Sequence, residues 1–303
     1  KILVGALGVD EFRRQVEIEH APIAHEKLDL ARVAAVAKQF DDVVFEAGAD
    51  GWQRHKERAL TDKNFRLWLT HNVRPHRVPG YNVVLVSLKR RDIAPGDVFT
   101  SEFSDLADLM DRYNQGFATA IYNQNLTFQY IRNQDLEAVY DALLALGFAT
   151  PNMSTIQDVI CCPGLDFCSL ANASSIPIAK SLFERFADLD EAYEYGPVDI
   201  KMSGCINACG HHHVGDIGVL GIDKHGVEFY QIAIGGSPGT TDADPPALAE
   251  VIGPAVPTSE VVDLVERIMD CYVAVRQGRE TFRETVRRVG VDGFRTQLAG
   301  GVA

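Results

Sequence analysis

Cys162-Pro163-Gly164-Leu165-Asp166-Phe167-Cys168 and, 36 positions further on, Gly204-Cys205-Ile206-Asn207-Ala208-Cys209-Gly210 are the stretches that decide the reading of this chain. Four of its six cysteines lie in these two tight pairs. Six cysteines in 303 residues are too sparse for a disulfide-stapled scaffold, and paired thiols in a reduced compartment point to metal. Four soft, anionic thiolates suit an iron–sulfur cube, one for each iron. Structural four-cysteine zinc usually uses two C-x2-C knuckles. The spacings here are C-x5-C and C-x3-C, which favours iron–sulfur over zinc. Gly164 lets the wider loop bend, while Gly204 and Gly210 permit close packing of the chain against a bulky cofactor. Cys161 breaks the C-x5-C spacing and reads as a packed thiol. Cys271 falls on an apolar helical stripe and reads as core.

Outward from the cysteines the organisation is legible. Residues 25–40 repeat apolar side chains at helical spacing (Leu28, Leu30, Val33, Val36). Residues 50–79 are polar, hold both tryptophans, and read as a connecting excursion closed by Val78-Pro79-Gly80. Residues 82–88 read as a strand. Ser104 can cap a helix through Leu106, Leu109 and Met110. Residues 117–122 and 126–131 read as a strand pair around Asn123-Gln124-Asn125. A helix from Asn133 carries Leu136, Val139, Tyr140, Leu143 and Leu144, closed by Gly147. Strand, helix, strand, strand, helix is most of a ferredoxin-like split unit. Beyond Pro151, residues 178–186 are helical by spacing, 198–202 form a short strand, and 216–222 pairs with 227–234 as a hairpin. Residues 235–257 read as a surface loop, and Val261 to Tyr272 as a helix.

The fold class is therefore α+β. A ferredoxin-like (split βαβ) domain over residues 76–150 precedes a mixed α/β domain over 151–303. Residues 1–75 are the end of an earlier repeat and a linker. That last reading rests on a repeated phrase. Gly8-Val9-Asp10-Glu11-Phe12-Arg13-Arg14-Gln15 returns as Gly290-Val291-Asp292-Gly293-Phe294-Arg295-Thr296-Gln297, identical at six of eight positions. The expectation is a tandem duplication whose first copy ends where this chain begins.

Charge narrows the partners. Against 29 Lys and Arg stand 42 Asp and Glu, a net charge of −13. So acidic a chain is a poor ligand for nucleic acid or anionic membrane. No apolar run approaches the roughly 18 residues of a membrane helix. The chain opens without a signal-peptide pattern, and a cytoplasmic location is expected.

The pattern C-x5-C followed by G-C-x-N-x-C-G resembles the sirohaem-dependent nitrite and sulfite reductase family. The likeness covers roughly residues 76–300 and extends to Asn123-Gln124-Asn125-Leu126, which sits on the family's Q-N element. Cys-Gly-His-His-His at 209–213 makes it most similar to proteobacterial assimilatory sulfite reductase haemoproteins, as their C-terminal half. The resemblance implies that Cys162, Cys168, Cys205 and Cys209 bind a 4Fe-4S cluster. It implies that Cys209 also bridges to the sirohaem iron, that Asn207 supports this junction, and that Gln124 contacts the macrocycle.

The implied activity is six-electron reduction of sulfite to sulfide in cysteine biosynthesis, fed by a flavoprotein or a ferredoxin. Two alternatives stand beside it: nitrite reduction to ammonia on the same scaffold, and a non-catalytic four-cysteine metal-binding half. The family's anion-binding Lys and Arg residues belong to its N-terminal half, and no counterpart of its Lys-x-Lys element is found. This segment alone is therefore expected to be inactive, and no catalytic acid is assigned. Lys89-Arg90-Arg91 reads as a solvated face or a docking patch for an acidic donor. His211, His212 and His213 read as zinc ligands with Cys205 and Cys209, as donors to sirohaem carboxylates, or as plain loop histidines.

Overall fold

A computed structural model describes residues 2–38, 43–46, 52–239, 241 and 244–300. The expected end of the first helix, at residues 39–40, and the first residues of the polar excursion lie outside them. The chain divides into two compact units, residues 1–46 and 47–303.

The first unit holds α1 (Ile2–Leu7), α2 (Val9–His20) and α3 (Leu30–Lys38). Asp29 starts α3 by accepting the N–H groups of Ala31 and Arg32 at 3.0 and 3.3 Å. Among its described residues none is buried, and the stripe of Leu28, Leu30, Val33 and Val36 is exposed.

The second unit opens with α4 (Trp52–Thr61) and α5 (Lys63–Asn72), where sequence periodicity suggests only a polar connection. Phe65 and Trp68, one turn apart on α5, are fully buried, stack on each other and meet the Tyr140 ring at steep angles. The charged Lys63 and Arg66 on the same helix face water and hide the stripe. These helices belong to the core of the domain that follows, so residues 52–75 are not a linker. That domain continues through β1 (Val73–Pro75), β2 (Tyr81–Val86), α6 (Thr100–Tyr113), β3 (Thr119–Ile121), β4 (Asn125–Arg132) and α7 (Leu136–Ala145). The antiparallel sheet has the order β1-β2-β4-β3. Val84, Val86 and Phe128 meet Leu136, Val139, Tyr140 and Leu143 in its core. Helix α6 starts earlier than expected, because Glu102 reaches back to the Phe99 N–H at 2.8 Å and Ser104 lies inside the helix.

The last part contains β5 (Ile160–Cys161), α8 (Ile176–Arg185), α9 (Leu189–Tyr195), β6 (Ile200–Ser203), β7 (Ile217–Lys224), β8 (Val227–Ile234), β9 (Glu250–Val251), β10 (Val256–Pro257), α10 (Val261–Val275), α11 (Phe282–Val289) and α12 (Val291–Gly300). Its sheet runs β10-β8-β7-β6-β5, with β5, β6 and β7 parallel and β8 antiparallel to β7. Asp223 opposes Glu228 and Lys224 opposes Val227, which leaves His225-Gly226 as a two-residue turn with both φ angles positive. The apolar face of α10 (Val261, Val265, Ile268, Met269, Tyr272) packs into the same core as Ile200, Met202, Ile217 and Val219. The segment expected as a surface loop carries β9 and β10, and its Ser237 is fully buried.

The repeated phrase has one structure at both ends. Gly8 (φ 80°, ψ 159°) links α1 to α2, and Gly290 (φ 77°, ψ 155°) links α11 to α12. At the second copy Phe294 and Val286 are buried in the core; at the first, Phe12 is half-buried.

Candidate metal centre

Two neighbouring parallel strands deliver the cysteines. Strand β5 ends in Cys161 and runs directly into Cys162, and β6 ends at Ser203, two residues before Cys205. The carboxyl ends of parallel strands are where open α/β sheets place their ligands. The first loop folds back on itself: Cys168 N–H donates to Gly164 O at 2.9 Å and Leu165 N–H to Ala173 O at 3.1 Å. Asn172 and Ala173 then donate to Gly204 O, at 2.8 and 3.1 Å, and tie the first loop to the second.

Glycine is required at both meeting points. Gly164 holds φ 60°, and a Cβ there would lie 2.6 Å from Ser175 N. A Cβ on Gly204 would lie 2.5 Å from Ala173 O and 2.8 Å from Gly164 Cα. With no side chain between them, Gly204 N–H points at Cys162 Sγ, 3.0 Å away. An N–H donated to a ligand sulfur is the kind of hydrogen bond that tunes cluster potentials. In the second loop Ala208 takes φ 58°, and Gly210 N–H donates to Ser203 Oγ at 3.1 Å.

The four thiols differ in exposure. Cys205 is buried, Cys162 and Cys168 are half-buried, and Cys209 is exposed. All four are free, as are Cys161 and Cys271. Burial pushes the Cys161 thiol up to about 12, so it stays protonated. Cys271 is buried in the α10 core, and burial raises its thiol as well. The loops also expose large apolar side chains: Leu165, Phe167 (80%), Leu170 and Ile206. Asn207 is exposed between Cys205 and Cys209.

The remaining candidates are placed as follows. His211 is exposed with φ 56°, while His212 is buried, tilted against His213 with ring centroids 3.9 Å apart, and held neutral down to about pH 4 by that burial. Among the described residues no three His, Cys, Asp or Glu side chains converge as a single-ion site. Gln124 turns its amide onto the peptide of Cys161, donating to its carbonyl at 2.7 Å and accepting its N–H at 3.0 Å. Lys89 is not on a solvated face. It is 1% exposed, its ammonium donates to Asn123 O and Val159 O at 2.8 Å each, and it lies 3.9 Å from the Asp158 carboxylate. Arg90 is held by Glu102 at 2.6 and 2.9 Å and covers the Phe148 ring at 4.3 Å. Two of the three charges are thus spent inside, and no basic docking patch stands there. The run of three basic residues concealed this. The only hint of the partner was Asp158 amid apolar Ile156, Val159 and Ile160.

The residues present fit an iron–sulfur cluster on the chemistry of the donor set. Four free thiols come from two loops joined through a glycine contact, with a backbone N–H already aimed at one sulfur. The exposed Cys209, beside exposed Ile206, is the one thiol open to a second, larger group.

Comparisons with known proteins agree. Residues 152–301 match the family described as the nitrite and sulphite reductase 4Fe-4S domain. An assimilatory ferredoxin-dependent nitrite reductase of Haloferax mediterranei is 30% identical over 212 residues, 66% of this chain and 34% of the relative. A sulfite reductase [ferredoxin] of Mycolicibacterium paratuberculosis is 27% identical, over 67% of this chain and 38% of the relative. A chloroplastic ferredoxin–nitrite reductase of Oryza sativa is 25% identical, over 93% of this chain and 42% of the relative. The chain thus spans a third to two-fifths of these relatives. The solved structure of Mycobacterium tuberculosis NirA superposes with a TM-score of 0.61 at 26% identity, covering 74% of this chain and 41% of that one. A dissimilatory sulfite reductase I structure shares the fold, with a TM-score of 0.60 at 13% identity over 88% of this chain and 90% of that one.

Proposed function

The chain belongs to the nitrite and sulfite reductase family, whose cofactors are sirohaem and a 4Fe-4S cluster, and from that premise we propose that it is the cluster-bearing half of an enzyme reducing sulfite to sulfide. The observation that carries the reading is the delivery of two cysteine pairs by adjacent parallel strands, joined through Gly204. Cys162, Cys168, Cys205 and Cys209 would each hold one iron, and Cys209, the exposed thiol, would also reach the sirohaem iron.

When bound, the cluster and the sirohaem would supply one-electron redox chemistry to the anion. The chain's own part is to hold and shield. Gly204 N–H donates to the Cys162 sulfur, and burial keeps Cys205 away from water. Leu165, Phe167, Leu170 and Ile206 offer apolar surface to a macrocycle. Asn207 would support the junction from between its two ligands. Gln124, which would contact the macrocycle, pairs its amide with the peptide of Cys161 on the ligand strand.

The basic residues that bind the anion and pass protons would come from a further, N-terminal half. This chain covers only 34% and 38% of two of these relatives, which leaves room for that half. A ferredoxin donor is the reading that the relatives' names support. Nitrite is the second reading, because relatives bearing that name match as well as those named for sulfite. The test is the full-length protein with an artificial reductant, assayed on both anions side by side. Sulfide release faster than ammonia release supports sulfite; the reverse order overturns it in favour of nitrite. The third reading, a non-catalytic metal-binding half, requires that neither product forms.

A further inference from the structure

Strand β5 is the edge of its sheet, paired with β6 on one side only. Its other side is taken by the ferredoxin-like domain. The Gln124 amide makes a two-way pair with the Cys161 peptide, as a neighbouring strand would. Two residues upstream, Val159 O accepts from the buried Lys89 ammonium, which also holds Asn123 O. One residue further upstream, the Asp158 carboxylate accepts from Asn125 Nδ2 at 2.9 Å and from Asn123 Nδ2 at 3.1 Å. Asp158 and Cys161 are thus gripped from the one turn, Asn123-Gln124-Asn125, and Val159 by Lys89 behind it. The residue after the grip is Cys162.

So dense a buried network has a cost. A fully buried lysine and a buried aspartate are expensive unless every donor and acceptor is met. Two short β-strand residues need no such device to pair with β6. The turn is itself tightly held, since Gln124 takes φ 60° and Gly96 backs against it, where an added Cβ would lie 3.1 Å from the Gln124 Cβ. A register slip of one residue in β5 would turn Cys162 to the opposite face.

We propose that Gln124 and the Lys89–Asp158 pair form a clamp that positions Cys162 on its cluster iron, making these three positioning residues. The proposal rests on Cys162 being a cluster ligand. It makes the ferredoxin-like domain part of the support of the metal centre rather than a neighbour of it.

The experiment uses the full-length holoprotein and four variants: Cys162→Ser, Gln124→Met, Gln124→Glu and the double change Lys89→Met/Asp158→Asn. Iron release to a ferrous chelator, the EPR spectrum of the reduced cluster and thermal melting are measured together. The clamp predicts that Gln124→Met and the double variant release iron about tenfold faster, as loss of outer-shell support does at other metal sites. It also predicts shifted EPR g values in both, with Gln124→Glu, which keeps one of the two hydrogen bonds, falling between them and wild type. A merely structural role would lower the melting temperature and leave the EPR spectrum unchanged, and that result overturns the clamp. Should the double variant fail to fold, the Gln124 pair decides by itself. Full retention of the cluster by Cys162→Ser would instead overturn the ligand assignment beneath it.

Discussion

The backbone N–H of Gly204 lies 3.0 Å from the sulfur of Cys162, 42 residues away in the chain, and no residue with a side chain could stand in its place. This contact joins the two cysteine loops. It also gives the sulfur of Cys162 a hydrogen-bond donor. The coupling of glycine packing to sulfur chemistry explains why both loops carry glycine beside cysteine.

Gly204→Ala tests that contact. The added methyl would meet Ala173 O and Gly164 Cα, both backbone atoms, at 2.5 and 2.8 Å. Overpacking of this kind costs about 1–3 kcal/mol. The expected result is a lower melting temperature together with reduced iron content, read by thermal denaturation and metal analysis. Unchanged iron at wild-type stability would refute the coupling.

The cysteines separate into two classes. Cys168→Ser and Cys205→Ser are expected to abolish the cluster chromophore. Cys271→Ala, in the α10 core, is expected to leave the chromophore intact and to cost about 1 kcal/mol for the buried sulfur. Loss of colour in the Cys271 variant would mean that it reaches the metal.

Glu280 gives a pH signature far from the metal. The Arg288 guanidinium on its carboxylate, at 2.6 and 2.7 Å, with the N–H of Gln277, holds it down to about 2. The unfolded chain takes up this proton near the ordinary carboxylate value, the folded chain only near pH 2. Stability therefore falls as pH drops through that window. Glu280→Gln should be less stable than wild type at pH 7, with the difference closing toward pH 2 in denaturant titrations. A difference independent of pH would remove the ion pair as its cause.

Gly290 probes the repeated phrase. Its φ of 77° with ψ of 155° belongs to backbone that only glycine adopts at ease. Gly290→Ala should cost about 1–3 kcal/mol, measured by urea unfolding. Gly8 holds the same angles, which is how the duplicated phrase shows itself in three dimensions.

Much of this was legible in the residues. The helix of Leu136, Val139, Tyr140 and Leu143, the hairpin at His225-Gly226 and the α10 stripe all carry clean periods, and the structure has them near the expected bounds. Helices α4 and α5 were not legible, because only Phe65 and Trp68 mark the buried face among charges that stay in water. The two cysteine pairs were legible as chemistry, but their meeting was not. It depends on parallel pairing between β5 and β6, which are 38 residues apart and only two and four residues long. Lys89 was misread because a buried lysine has no local signal. Its partners, Asn123, Asp158 and Val159, lie 34 to 70 residues further along.

The measurement closest to the central claim is an absorption spectrum, with iron and acid-labile sulfide analysis, on the full-length protein from a sirohaem-producing host. The account predicts a Soret band, a red chlorin-type band, and about five irons with about four sulfides per chain. A colourless protein holding one zinc would contradict it, and would leave Cys162, Cys168, Cys205 and Cys209 as a structural clasp.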